Sequence, residues 1–190
     1  MKNLQAFLIA FAATLFAEMG DKTQLVTLTL ATRHPPLRVL AGSLSALAAI
    51  TGLAVLLGEY LAQLFPQKWT MLASGLFFIV VGIFLLLQRE EAENTEVSNT
   101  GRGIALQTFL MVFLAELGDK TQLTAIALTA AYSSPTAVFL GAMAGQTVNH
   151  SLAAYLGARF LSRLPDRAIK VGSALLFILF GAIFLYTALR

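Results

Sequence analysis

The sequence predicts an all-α membrane protein of six transmembrane helices, arranged as two inverted three-helix repeats. Three observations carry that expectation: a composition suited to lipid, six apolar stretches separated by turn signals, and one acidic motif that occurs twice. Of the 190 residues, 57% are hydrophobic and 12% charged, with a mean hydropathy of +0.76. A soluble domain carries about 25% charged residues, so lipid is the solvent this chain suits. A span needs about 20 apolar residues, and the length therefore holds six spans and no sizeable extramembrane domain. The formal charge of +3 comes from basic residues scattered over short connections. No basic run is interleaved with aromatics, and no nucleic-acid partner is expected. The absence of cysteine excludes disulfides, thiolate metal sites and iron–sulfur chemistry.

The spans are predicted at 4–31, 37–64, 69–88, 104–131, 136–162 and 168–189. His34-Pro35-Pro36, Phe65-Pro66, Ser133-Ser134-Pro135 and Leu164-Pro165-Asp166 supply the turn and helix-end signals between them. The one long polar stretch, 88–102, carries Glu90, Glu91, Glu93 and Glu96. It divides the chain into a first repeat (1–88), an acidic cytoplasmic linker (89–103) and a second repeat (104–190). The linker's acids read first as a plain solvated loop, with metal capture or regulation as the alternative. Residues 4–17, preceded by Lys2, resemble a signal-peptide core. The apolar run passes directly into Glu18-Met19-Gly20-Asp21, however, and is read as an uncleaved first span. Eight of the eleven basic residues outside the motifs fall in the connections after spans one, three and five. That bias makes those connections cytoplasmic and places both termini on the other side.

Ala17–Leu25 reads AEMGDKTQL and Ala115–Leu123 reads AELGDKTQL, identical at eight of nine positions at a spacing of 98. At a spacing of 99, Gly58 matches Gly157, Pro66 matches Pro165, Ser74 matches Ser173 and Gly82 matches Gly181. The duplication thus runs through three spans per half. Three is odd, so the second half enters the membrane from the opposite side. Inverted repeats of this kind recur in secondary transporters, with the substrate site near the bilayer midplane between the halves.

Each motif places acids inside a span, where an ionised side chain costs about 2.5–3.5 kcal/mol on insertion scales. Residues three apart share a helix face, so Glu18 is expected to project with Asp21, and Glu116 with Asp119. Gly20 and Gly118 between them permit close helix approach or a local break. Lys22 and Lys120 stand four residues after Glu18 and Glu116, and are expected to balance charge by pairing with them. Four carboxylates less two lysines leave −2, which one divalent cation or two protons neutralise. That is the minimum chemistry of cation/proton exchange; a purely structural charge cluster is the other reading. The candidate ligands are all oxygen: Glu18, Asp21, Glu116 and Asp119, with Thr23, Gln24, Thr121 and Gln122 as further donors. Such a set suits Mn²⁺, Ca²⁺ or Mg²⁺.

Gln146, Asn149 and His150 lie mid-span in the fifth span, with no polar equivalent expected in the second. Asn149 and His150 are possible accessories: His150 could add a nitrogen ligand, relay a proton, or simply bond a neighbouring helix. Asn149-His150-Ser151 matches a glycosylation pattern but is inaccessible mid-span. Gly141 and Gly145 form a GxxxG packing face. Glu59 suits either an exit path or the membrane interface, and Trp69 an interface anchor.

In these residues the chain resembles the uncharacterised-protein-family-16 group, also called the Gdt1 family. Its signature is a doubled Glu-x-Gly-Asp-Lys/Arg-Thr/Ser segment, matched here by Glu18–Thr23 and Glu116–Thr121. The resemblance implies a transporter rather than an enzyme, with no prosthetic group. It implies exchange of Mn²⁺ or Ca²⁺ for protons, with Glu18, Asp21, Glu116 and Asp119 as the binding acids. The short N-terminus looks like that of bacterial members, which implies Mn²⁺ export across an inner membrane. One chain holds both motifs, so no oligomer is required. A passive cation channel with an acidic ring, or an intramembrane metal-dependent hydrolase, would use some of the same residues.

Overall fold

The computed structural model describes residues 2–87, 103–161 and 166–190, all of whose regular structure is helical. The eight helices are α1 (Lys2–Glu18), α2 (Lys22–Ala31), α3 (Pro36–Leu64), α4 (Gln67–Leu87), α5 (Ile104–Glu116), α6 (Lys120–Tyr132), α7 (Pro135–Leu161) and α8 (Asp166–Leu189). The acidic linker, the Leu164-Pro165 turn and the side chain of Lys22 lie outside the described residues. Pro36 and Pro135 open α3 and α7, where a fixed φ and a missing N–H cost nothing.

Among the described residues, Pro36–Leu64, Gln67–Leu87 and Val171–Leu189 are each long and apolar enough to cross a membrane. At about 1.5 Å per residue, 29 residues of α3 exceed a hydrocarbon core of about 30 Å. The stretches expected as spans at 4–31 and 104–131 each contain the local break that Gly20 and Gly118 permit. Each is two helices: α1 and α2 meet at a bend of 67°, and α5 and α6 are interrupted at the matching residues. The bent pair adds a fourth crossing if it is counted as one span.

Small residues bring the backbones together. Ala6, Ala10, Ala13 and Ala17 form one buried face of α1. Against it stand Gly141 and Gly145 of α7, as the GxxxG pattern predicted. A Cβ on Gly141 would strike the Phe7 carbonyl, and one on Gly145 would lie 2.9 Å from the Phe11 carbonyl. The same contact recurs in the other half: a Cβ on Gly42 of α3 would strike the Ala105 carbonyl of α5. Gly42 and Gly141 are 99 apart, and Phe7 and Ala105 are 98 apart. In lipid, where helix association gains little from hydrophobicity, such approach lets dispersion contacts hold the helices.

α4 and α8 pack along their lengths through matched positions. A Cβ on Gly82 would meet Ile178 Cγ1 at 2.7 Å, and one on Gly181 would meet Ile79 Cγ1 at 2.6 Å. Phe78 and Phe177, themselves 99 apart, meet each other with ring centroids at 5.3 Å.

The halves differ in how α4 and α8 pack. α4 also packs on α6, where Ser74 Oγ donates to the Ala127 carbonyl at 2.8 Å and Gln67 Nε2 to the Ala131 carbonyl at 3.3 Å. α8 packs instead on α1, where Ser173 Oγ donates to the Phe16 carbonyl at 2.8 Å. Equivalent serines therefore hold different pieces of the two interrupted helices.

Gly42→Ala and Gly141→Ala are each expected to destabilise the protein by about 1–3 kcal/mol through overpacking. Gly52→Ala is the control: its added Cβ would meet only Phe139 Cε2, at 3.9 Å. Thermal unfolding in detergent should lower the midpoint of the first two and leave the third unchanged.

Candidate metal site at the two helix breaks

Both interruptions are built alike. α1 ends at Glu18 and α5 at Glu116; Gly20 and Gly118 follow with φ of 80° and 81°. Glycine alone takes this left-handed conformation without a steric penalty. The N–H of Asp21 returns to the Glu18 carbonyl and that of Asp119 to the Glu116 carbonyl, both at 3.1 Å. The N–H of Gly20 donates to Gln24 Oε1 at 2.6 Å, and that of Gly118 to Gln122 Oε1 at 2.8 Å. The two glutamines, expected as spare oxygen ligands, thus close the breaks by engaging backbone donors.

Each break delivers two carboxylates. Glu18 and Glu116 stand on the last residues of α1 and α5, while Asp21 and Asp119 immediately precede α2 and α6. The expectation that each pair shares one helix face is corrected: the members lie on either side of a break. Even so, all four acids converge. Glu18, Asp21, Glu116 and Asp119 each offer an oxygen, and these atoms lie within 4.8 Å of one another. Opposed oxygens of a divalent ion held at about 2.0–2.6 Å lie about 4–5 Å apart, so the spacing matches a common ligand sphere.

The environments differ within each pair. Glu18 is 0% exposed and Glu116 1% exposed, whereas the aspartates keep partial access. Thr23 Oγ1 donates to Glu18 Oε2 at 3.3 Å, and Thr121 Oγ1 to Glu116 Oε2 at 3.0 Å. Both hydroxyls therefore orient the glutamates. The other oxygen of each, Glu18 Oε1 and Glu116 Oε1, is buried with no hydrogen-bond partner among the described residues. An unsatisfied buried acceptor costs about 1–3 kcal/mol, and more when charged. A proton or a metal ion on these oxygens removes that cost.

The pairing expected of Lys120 is also corrected, while that of Lys22 lies outside the described residues. Lys120 Nζ does not pair with Glu116 one turn back; it bonds Asp21 of the other half and lies 3.4 Å from Asp119 Oδ2. The i, i+4 rule fails because the break lies between Glu116 and Lys120, so no continuous turn links them.

Around the first break, α7 provides support that the sequence understated. Asn149 Nδ2 donates to the Leu15 carbonyl at 2.8 Å, and the Asn149 carbonyl accepts from Gln24 Nε2 at 3.1 Å. His150 Nδ1 and Thr27 Oγ1 are 2.8 Å apart, the interhelical bond anticipated as one of its roles. His150 is not one of the four-acid group, and neither is Glu59, which is half-buried on α3. The expectation that span two lacks polar equivalents is corrected as well. Thr51, 99 residues before His150, is buried and accepts from Gln146 Nε2 at 3.3 Å. Ser173 is a further support residue; its signal was a hydroxyl in an otherwise apolar run. An apolar cavity of about 660 Å³ between α3, α4 and α6, with Trp69 on its wall, contains none of the acids.

Comparison with known proteins adds a family. The family model described as "Divalent cation/proton antiporter GDT1" matches residues 6–93 and 104–190. GDT1-like protein 3 of Arabidopsis thaliana is 33% identical, over 93% of this chain and 69% of that protein. GDT1-like protein sll0615 of Synechocystis is 32% identical, over 97% of this chain and 98% of its own length. No solved structure matches.

Nothing lies within 4 Å of a Cβ built on Gly20 or Gly118, so the requirement for glycine there is purely conformational. Gly20→Ala and Gly118→Ala are each expected to cost about 1–2 kcal/mol. Gly118→Asn should cost less, since asparagine tolerates the left-handed region, and unfolding midpoints in detergent would rank the three.

Proposed function

From the premise that this chain belongs to the GDT1 family of divalent cation/proton antiporters, we propose that it exports Mn²⁺ from the cytoplasm in exchange for protons. Ca²⁺ is the alternative cargo. The ion binds Glu18, Asp21, Glu116 and Asp119, while Thr23 and Thr121 orient the two glutamates. The observation that carries this reading is the pair of buried oxygens, Glu18 Oε1 and Glu116 Oε1, that have no hydrogen-bond partner among the described residues and lie within a group of four converging carboxylates. Oxygen ligands of this kind suit hard divalent ions, and the same oxygens accept protons when the ion leaves.

Six spans form the transport frame in this reading, with α1–α2 and α5–α6 each acting as one interrupted span. The first repeat (1–88) and the second (104–190) are related by inversion, and both termini lie outside the cytoplasm in a bacterial inner membrane. Support comes from the matched breaks, the matched Gly42 and Gly141 contacts, and the meeting of Phe78 with Phe177, as equivalent residues near a two-fold axis would meet. Interrupted helices at the repeat interface are a recurring way to build an ion site at mid-membrane. The unequal seating of Ser74 and Ser173 fits one end state of an alternating-access cycle, in which the halves exchange roles.

Proteoliposomes with an imposed pH gradient should accumulate Mn²⁺, and a protonophore should stop them. Asp21→Asn and Asp119→Asn should each reduce the flux at least tenfold. Undiminished transport in both variants would overturn the site, and flux indifferent to the gradient would point to a channel.

A further inference from the structure

We propose that Lys120 is a tethered competitor of the transported ion: its ammonium takes a cation's place among the four carboxylates and must withdraw for the divalent ion to bind. The proposal rests on the four-acid site described above and adds a part that site does not require. A lysine that only balanced charge could do so from outside the ligand sphere, beside Glu116 on a continuous helix. Instead the break at Gly118 turns the first residue of α6 toward the opposite half. Lys120 Nζ bonds Asp21 there and lies 3.4 Å from Asp119 Oδ2.

Two of the four acids are therefore engaged by the ammonium, while the four ligand oxygens lie within 4.8 Å of one another. A divalent ion that takes Asp21 and Asp119 as ligands must approach the carboxylates that the ammonium now holds, which brings the two cations together. Repulsion between two cations that close is severe even at the higher effective dielectric of proteins. The two occupants are mutually exclusive. A lysine side chain has the reach to leave, because its four-carbon stem is flexible and its charge is compact and strongly hydrated. With a side-chain exposure of 22%, Lys120 is not sealed among the acids.

Exclusivity has a second effect. Lys120 belongs to the second half and Asp21 to the first, so the ion pair ties the two breaks together. When the ion displaces the ammonium, the ion itself becomes the tie. Competition then sets the apparent affinity, and it lets the ion depart without leaving the aspartates uncompensated.

Two measurements at constant pH on the full-length protein in detergent test this. In the wild type, labelling of Lys120 by an amine-reactive reagent, read by peptide mass spectrometry, should rise at least threefold with saturating Mn²⁺. Labelling of Lys68, exposed on α4, should not change. Unchanged or reduced labelling of Lys120 would overturn the proposal. In the second measurement, electron paramagnetic resonance of free Mn²⁺ gives affinities for folded, monodisperse variants. Lys120→Gln should bind at least threefold more tightly than wild type. Lys120→Arg should bind at least threefold more weakly, because a guanidinium fork holds carboxylates bidentately and releases them less readily. A lysine acting only through its long-range field predicts equal affinity for Lys120→Arg and wild type, and that result would also overturn the proposal. Asp21→Asn separates the two readings. Unchanged Mn²⁺ binding in Asp21→Asn would sink the four-acid site itself, whereas lost binding there with unresponsive Lys120 variants would sink only the competitor.

Discussion

A buried helix interruption exposes polar backbone groups that must find partners within the protein, and the polar contacts around the four acids follow from how that constraint is met. The solution is local at first. Gln24 and Gln122 each reach back one turn to receive the glycine N–H, and the N–H three residues beyond the helix end returns to its last carbonyl. Carbonyls freed higher in α1 are then met from outside, by Asn149 of α7 and Ser173 of α8. The breaks thus dictate where polar residues occur on otherwise apolar helices.

Satisfied breaks are also what make the site. An unbroken helix would carry its two acids along one face, each pair apart from the other. Interruption places two helix ends and two helix starts at one location and brings four carboxylates within 4.8 Å. The partial positive charge at the starts of α2 and α6 favours the neighbouring aspartates. The glutamates sit deeper, each held by a threonine through one oxygen and, among the described residues, without a hydrogen-bond partner at the other. Such an arrangement holds a cation or protons better than it holds bare charge.

Two kinds of contact frame this centre. Glycine-mediated packing, repeated in both halves, is tight and symmetric, and it suits elements that move as units. The hydrogen bonds of Ser74 and Ser173 break the symmetry, because one holds the half-helix after a break and the other the half-helix before it. Bonds of this strength, about 0.5–1.5 kcal/mol net, can be exchanged within a transport cycle without unfolding the frame.

Much of this was legible in the residues. Composition alone identified lipid as the solvent. The doubled motif singled out the four acids, and the GxxxG pattern anticipated the close contacts of Gly141 and Gly145. Helix limits agreed because proline and polar turns must lie where helices end in lipid. What failed was reasoning by helical spacing across Gly20 and Gly118. Three- and four-residue rules assume a continuous turn, and a left-handed glycine removes it. Lys120 consequently met Asp21, 99 residues away, and not Glu116. The chemical inventory of the site was determined by the sequence, because burial in lipid tolerates charged residues only where they are used. Which charge faces which was decided by tertiary structure, since only the packing of the two halves sets the distance between groups that no local geometry connects.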